Sequence, residues 1–169
     1  MQIRTMKNKT VWNIACAGII AALYVGLGFL ILPLASGAVQ IRFAEVLTVM
    51  PVFTAAGIPG VTIGCFLFNL LSGAAVGDVI FGTLATLIGA VGTFLLRKKS
   101  RYLAVLPPII ANTLIVPFVL KYAYGMEDAI WFMMVTVCAG EIIAAGILAL
   151  LLRRLLEKNQ KQIFPDELK

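Results

Sequence analysis

Residues 46–77 read VLTVMPVFTAAGIPGVTIGCFLFNLLSGAAVG, thirty-two residues without a charge between Glu45 and Asp78. How often this stretch crosses a bilayer decides the fold. An apolar helix needs about 20 residues to span the hydrocarbon layer, so length alone allows one long crossing or two short ones. Parity decides between them, because Lys and Arg gather on the cytoplasmic side of a membrane protein. Arg4, Lys7 and Lys9 mark one inside cluster, and Arg97, Lys98, Lys99 and Arg101 a second. An even number of crossings must separate the two. Residues 46–77 therefore supply two short crossings, bent at Gly57-Ile58-Pro59-Gly60, where Pro interrupts a helix and Gly accepts unusual dihedrals.

The other charge gaps give the remaining spans. Nothing is charged between Lys9 and Arg42, between Asp78 and Arg97, or between Arg101 and Lys121, and residues 129–152 are broken only by Glu141. The chain is thus predicted to be an all-α integral membrane protein of the cell membrane. It forms one domain, a bundle of six transmembrane helices at about 11–34, 44–56, 59–73, 78–96, 102–122 and 129–153, with a polar tail at 154–169. Arg153, Arg154, Lys158 and Lys161 place the C-terminus inside with the N-terminus, so both termini are cytoplasmic. Twelve of the 14 Lys and Arg then lie inside, and the net charge of +6 reflects topology rather than a nucleic-acid surface. Composition agrees. Of 169 residues, 61% are hydrophobic and 13% charged, about half the charged share of a soluble domain, and mean hydropathy is +1.00. A cleavage-like Leu34-Ala35-Ser36-Gly37-Ala38 follows an apolar stretch too long for a signal peptide.

Several classes of chemistry are excluded. With no histidine, Ser-His and Cys-His catalysis and most catalytic zinc sites are absent. No G-x-x-x-x-G-K-[ST] occurs, so the chain hydrolyses no ATP through a P-loop. Cys16, Cys65 and Cys138 are isolated within apolar runs and read as small hydrophobes, neither disulfide nor metal knuckle. No cofactor, metal or catalytic residue is expected.

Polar residues inside the predicted spans carry the functional signal, because ionisable groups in a bilayer are costly. Glu141 lies 12 residues into the last helix, about 18 Å along it, near mid-membrane. Asn112 sits at similar depth in the fifth. Nearer the outer face, Gln40, Arg42 and Glu45 join the first two helices, Asn69 ends the third and Asp78 opens the fourth. Lys121, Glu127 and Asp128 fall in a solvated outer loop. The polar groups occupy the outer half of the bundle while the inner half is apolar. A channel needs polar lining through its full depth, and an alternating-access carrier shows repeats and broken helices at the midplane. A cavity open only outward fits better: a capture protein that needs a partner to release its cargo. Ala17, Gly18, Ala21, Ala22 and Gly26 form a small-residue stripe on the first helix that allows close helix packing, and Gly60–Gly64 forms a second. For both, packing inside the bundle is the competing use.

The run Gln40-Ile41-Arg42-Phe43-Ala44-Glu45-Val46-Leu47-Thr48-Val49-Met50-Pro51 resembles the signature of the QueT queuosine-precursor transporter family. Residues 60–70 resemble its Gly-x-x-x-Gly-Cys-Phe-x-x-Asn-Leu stretch, and residues 78–87 its Asp-x-x-Phe-Gly-Thr-Leu-Ala-Thr-Leu segment. The resemblance spans about residues 10–155. It implies a six-helix substrate-binding S component of an energy-coupling factor importer, which binds a 7-deazaguanine, queuine or queuosine from outside. A membrane scaffold T component and two cytosolic ATPases then drive uptake. The scaffold would dock on the stripe, with Ala17 and Ala21 at the matching positions beside Gly18 and Ala22.

A deazaguanine presents a ring N–H and an exocyclic amine on one edge, a pair that one carboxylate accepts together. Glu141 is the first choice and Glu45 the second. The ring carbonyl needs a donor from Arg42, Gln40 or Asn112, an aminomethyl ammonium needs Asp78, and the flat ring needs an aromatic wall from Trp131, Phe132, Tyr122 or Phe81. The rival readings are an S component for another vitamin or nucleobase, a small embedded enzyme, and an assembly protein that binds no small molecule.

Overall fold

The computed structural model describes residues 2–31, 42–100 and 102–164, and these are helical without a strand. Helix α1 (Gln2–Leu30) is followed by a 3-10 helix (Phe43–Val52) and α2 (Gly57–Leu71). A π turn (Asp78–Gly82) runs into α3 (Thr83–Leu96), and a 3-10 turn (Leu103–Val105) into α4 (Leu106–Tyr122). The last long rod comprises α5 (Ile130–Glu141), a π segment (Ile142–Leu148) and α6 (Ala149–Lys158), and the short α7 (Gln160–Ile163) follows. Four stretches are long and apolar enough to cross a membrane: Lys9–Leu30, Asp78–Leu96, Leu103–Tyr122 and Ile130–Lys158. Their outward faces carry large apolar side chains such as Ile14, Leu30, Ile80, Leu95 and Leu155, a surface that lipid covers and water would not. The chain is a multi-pass membrane protein.

The two short elements depart from the predicted helices in form. The second is not an α-helix over 44–56 but ten residues of 3-10 helix, buried continuously from Ala44 to Pro51. It lies at the centre of the bundle, in contact with α1, α2, α3, the π segment and α6. Irregular backbone at membrane depth is tolerated where protein rather than lipid surrounds it. At about 2.0 Å rise per residue the 3-10 winding reaches roughly 20 Å. The predicted bend is displaced too. The chain turns at residues 53–56, where the Ala56 N–H donates to Thr54 Oγ1 at 3.2 Å. Gly57-Ile58-Pro59-Gly60 instead opens α2, because Pro costs a first helical turn no hydrogen bond.

Glycines set the closest packing. A Cβ on Gly60 would lie 2.8 Å from Ile20 Cβ, and one on Gly64 2.6 Å from Tyr24 Cβ and 3.1 Å from Ala21 Cα. The Gly60–Gly64 face is therefore used inside the bundle, against α1. Gly73 ends α2 with φ +72°, and the Ala74 N–H returns to Asn69 O at 3.0 Å, a left-handed cap natural for Gly. The core beside the 3-10 helix includes Ile20, Tyr24, Leu47, Met50, Phe53 and Cys65. Cys16, Cys65 and Cys138 form no disulfide, with Cys65 buried and Cys16 and Cys138 half-buried. Past Lys158, within the predicted tail, α7 brings Phe164 back into this core, stacked on Phe53 at 5.6 Å between ring centroids.

Candidate functional site

The buried polar side chains fall into two linked groups. The outer one is built on Asp78, the first residue of the π turn. Arg42 Nη2 donates to both its carboxylate oxygens, at 2.9 and 2.7 Å. Tyr124 adds its hydroxyl to Asp78 Oδ2 at 3.1 Å and accepts the Ala75 N–H at 3.2 Å. Asn69 Nδ2 donates to the Asp78 carbonyl at 3.1 Å. Gly82 makes room one turn on: a Cβ there would stand 2.5 Å from Asp78 Oδ1, 3.3 Å from Asn69 Nδ2 and 3.5 Å from Arg42 Nη1. Burial and the neighbouring Asp78 carboxylate push the Tyr124 phenol above its ordinary pKa, so it stays protonated and keeps donating. The chain segments before the 3-10 helix, before α3 and before α5 are thus tied at one carboxylate.

The second group lies deeper. Glu45 occupies the first turn of the 3-10 helix, where the positive end of the helix dipole suits a carboxylate. The Tyr24 hydroxyl donates to Glu45 Oε1. Glu45 Oε2, both amide atoms of Asn112 and Glu141 Oε2 are buried, and none has a hydrogen-bond partner of good geometry. These groups are neighbours: the Asn112 amide lies near both carboxylates, and Glu141 is within electrostatic reach of Glu45 and Arg42. An unpaired buried polar atom costs about 1–3 kcal/mol, so native proteins hold few of them and rarely side by side. Here four come from three elements, the 3-10 helix, α4 and α5. Together they offer two carboxyl oxygens as acceptors and one amide as donor and acceptor, the complement of a planar ring with adjacent N–H groups and a carbonyl. A narrow cleft whose walls include Tyr24, Gly28, Arg42, Ala44 and Phe68 reaches Arg42 of the outer group and Tyr24, the donor to Glu45, while Glu45, Asn112 and Glu141 do not line it.

Of the residues singled out from sequence, the structure brings Arg42, Asn69 and Asp78 together in the outer group and Glu45, Asn112 and Glu141 in the inner one. Gln40 lies outside the described residues. Trp131 stands 69% exposed with its ring edge against Phe132, apart from both groups. Lys121 is solvated, donating to the carbonyls of Glu127 and Asp128 at 3.2 and 3.4 Å. The small-residue stripe is divided. Ala21 is buried against α2 and Ala17 half-buried, while Gly18 and Ala22 are exposed, with open space beside Gly18 and Gly26. Sequence reasoning missed Tyr24, Tyr124 and Gly82. A tyrosine midway along an apolar helix was the available signal for Tyr24, whereas Tyr124 looks like any aromatic at a span end. Among the described residues no three His, Cys, Asp or Glu side chains gather as a metal site.

The chain matches the family model described as QueT transporter over residues 14–158. It is 39% identical over 85 residues to a protein of Lactococcus lactis subsp. cremoris (strain MG1363) named queuosine precursor transporter QueT. That match covers 49% of this chain and 50% of the relative, so the likeness spans about half of each. No solved structure matches.

Proposed function

The chain belongs to the QueT transporter family, and from that premise we propose that it is the substrate-capture S component of an energy-coupling factor importer, taking a queuosine precursor of the 7-deazaguanine class from outside the cell. The single observation that supports this most is the set of four unpartnered polar atoms on Glu45, Asn112 and Glu141. In this reading the ring N–H and exocyclic amine donate to Glu141, with Glu45 beside it, and the Asn112 amide meets the ring carbonyl. The ligand then supplies the hydrogen bonds these buried groups lack. The Arg42–Asp78–Tyr124 cluster stands at the outer end as the closure, and an aminomethyl substituent on the ring would compete with Arg42 for Asp78.

Six crossings, with both termini and residues 97–101 in the cytoplasm, complete the reading, the central 3-10 helix being the most shielded. Release falls to a membrane scaffold T component and two cytosolic ATPases, because the chain carries no P-loop of its own. Exposure supports Gly18 and Ala22 as the scaffold face, since Ala21 is buried against α2 and Ala17 is half-buried. The test is calorimetric titration of the purified protein with queuine, an aminomethyl-deazaguanine, guanine, riboflavin, thiamine and biotin. Saturable one-to-one binding confined to deazaguanines is expected. Binding of a vitamin alone would transfer the S-component reading to another cargo, and binding of none would refute it.

A further inference from the structure

At the basic end of the bundle lies a cleft of about 460 Å³ whose walls include Val52 and Phe53, Arg97 and Lys98 after α3, and Arg153 and Glu157 of α6. Three cations face one carboxylate, and that carboxylate is already engaged: Glu157 Oε1 accepts from Arg153 Nε at 2.7 Å. Arg97 is fixed at the rim, its Nη1 donating to Phe94 O at 2.7 Å and its guanidinium 3.4 Å from the Phe94 ring centroid. Arg153 is only 12% exposed, and its Nη1 is buried with no hydrogen-bond partner. A solvated basic rim would leave every guanidinium N–H to water. Here one is withdrawn from water and left unmatched inside a concave site.

We propose that this cleft binds a phosphate-bearing anion, held by Arg153 with Arg97 and Lys98 around it. A phosphate oxygen satisfies the vacant Nη1–H while Nε keeps its bond to Glu157, a geometry the planar guanidinium permits and an ammonium does not. Two sources carry this chemistry at a basic membrane face, an anionic lipid headgroup and a free phosphate. Anionic lipids collect there, and basic pockets between spans take their headgroups. The site is separate from the Glu45–Asn112–Glu141 group and stands independently of the cargo reading. Asp166 and Glu167 are the rival anions within the chain itself.

The test is native mass spectrometry and thermal unfolding of the delipidated full chain in neutral detergent. It is titrated with dioctanoyl phosphatidylglycerol, dioctanoyl phosphatidylcholine or inorganic phosphate. One equivalent of the glycerol lipid is expected to bind at least tenfold more tightly than the choline lipid. Arg153→Gln should weaken binding about tenfold, Arg153→Lys and Arg97→Gln each several-fold, and Lys158→Gln, outside the cleft, not at all. Phosphate that displaces the glycerol lipid at millimolar concentration assigns a soluble anion. Phosphate without effect assigns the headgroup. Equal binding of both lipids, or unchanged affinity in Arg153→Lys and Arg97→Gln, overturns the proposal. So does binding that appears only after removal of residues 165–169, which would give the cleft to the chain's own carboxylates.

Discussion

Replacing Glu141 by Gln separates a ligand-reading carboxylate from a merely buried one, because the two roles move different observables. In the free protein Oε2 has no hydrogen-bond partner of good geometry, and the Glu45 carboxyl lies within electrostatic reach of it. An amide of the same shape removes an ionisable group from the buried cluster, and the acceptor it replaces makes no well-formed bond. The free protein should therefore lose no stability, because a neutral amide is cheaper to bury than an ionisable carboxyl, although its NH2 is left unmatched there. Binding should suffer. The new NH2 points a donor at a ligand edge that itself donates, so a charge-assisted bond is lost and two donors oppose each other. Together these are worth roughly 2–4 kcal/mol, or about 30-fold to 1000-fold in Kd. Glu141→Asp keeps the charge, shortens the reach and should lose less. Calorimetric titration with queuine, alongside thermal unfolding in the same detergent, reads both quantities. A wild-type Kd in a stable Glu141→Gln protein would refute the assignment and move the contact to Glu45.

Other perturbations follow from the same geometry. Gly82→Ala puts a methyl 2.5 Å from Asp78 Oδ1 and should cost about 1–3 kcal/mol by parting Asp78 from Arg42, whereas Gly18→Ala, with nothing within 4 Å, should be tolerated; equal unfolding temperatures for the two would contradict this. Because the Tyr124 phenol has a raised pKa when folded, the unfolded chain releases that proton first. Its contribution is thus complete below about pH 10 and falls away as pH rises further. The decline in stability from pH 10 to 11 should be shallower in Tyr124→Phe, and an unchanged slope would exclude the phenol. Gly18→Leu and Ala22→Leu should abolish uptake in cells while leaving Kd for the cargo within about twofold. Ala21→Leu should instead impair folding against Gly64; full uptake in Gly18→Leu would place the scaffold elsewhere. An impermeant thiol reagent applied outside should label a Cys at Gly125 and spare one at Ser100, and the reverse pattern would overturn the six-crossing topology.

Charge gaps revealed the long spans because a charge in lipid is expensive: the span Asp78–Leu96 begins and ends where the uncharged run does. The same cost exposed the inner group, since Glu45, Asn112 and Glu141, conspicuous in apolar sequence, are each at most 4% exposed. Residues 44–56 hid their 3-10 winding for a related reason. A segment buried on all sides shows no alternation of apolar and polar faces, so its period leaves no trace. Pro59 misled because its effect depends on position, breaking a helix interior but suiting a first turn. Trp131, the proposed aromatic wall, stands exposed in an environment where both ring walls and interfacial belts recruit aromatics. Which α1 face meets α2 rested on where Gly60 and Gly64 dock, a tertiary fact that neither helix carries alone.

Wound as 3-10, the ten residues of Phe43–Val52 reach about 20 Å; rewound as an α-helix they would reach about 15 Å. Arg42 stands at one end of this rod, fastened to Asp78, and Phe53 at the other, stacked on Phe164. Both fastenings depend on the longer gauge. A change of winding with no change of residue would shorten the rod by about 5 Å, more than either a hydrogen bond or a ring stack survives. Either the outer latch or the inner stack would have to let go, so the pitch of this one element links the two ends of the molecule.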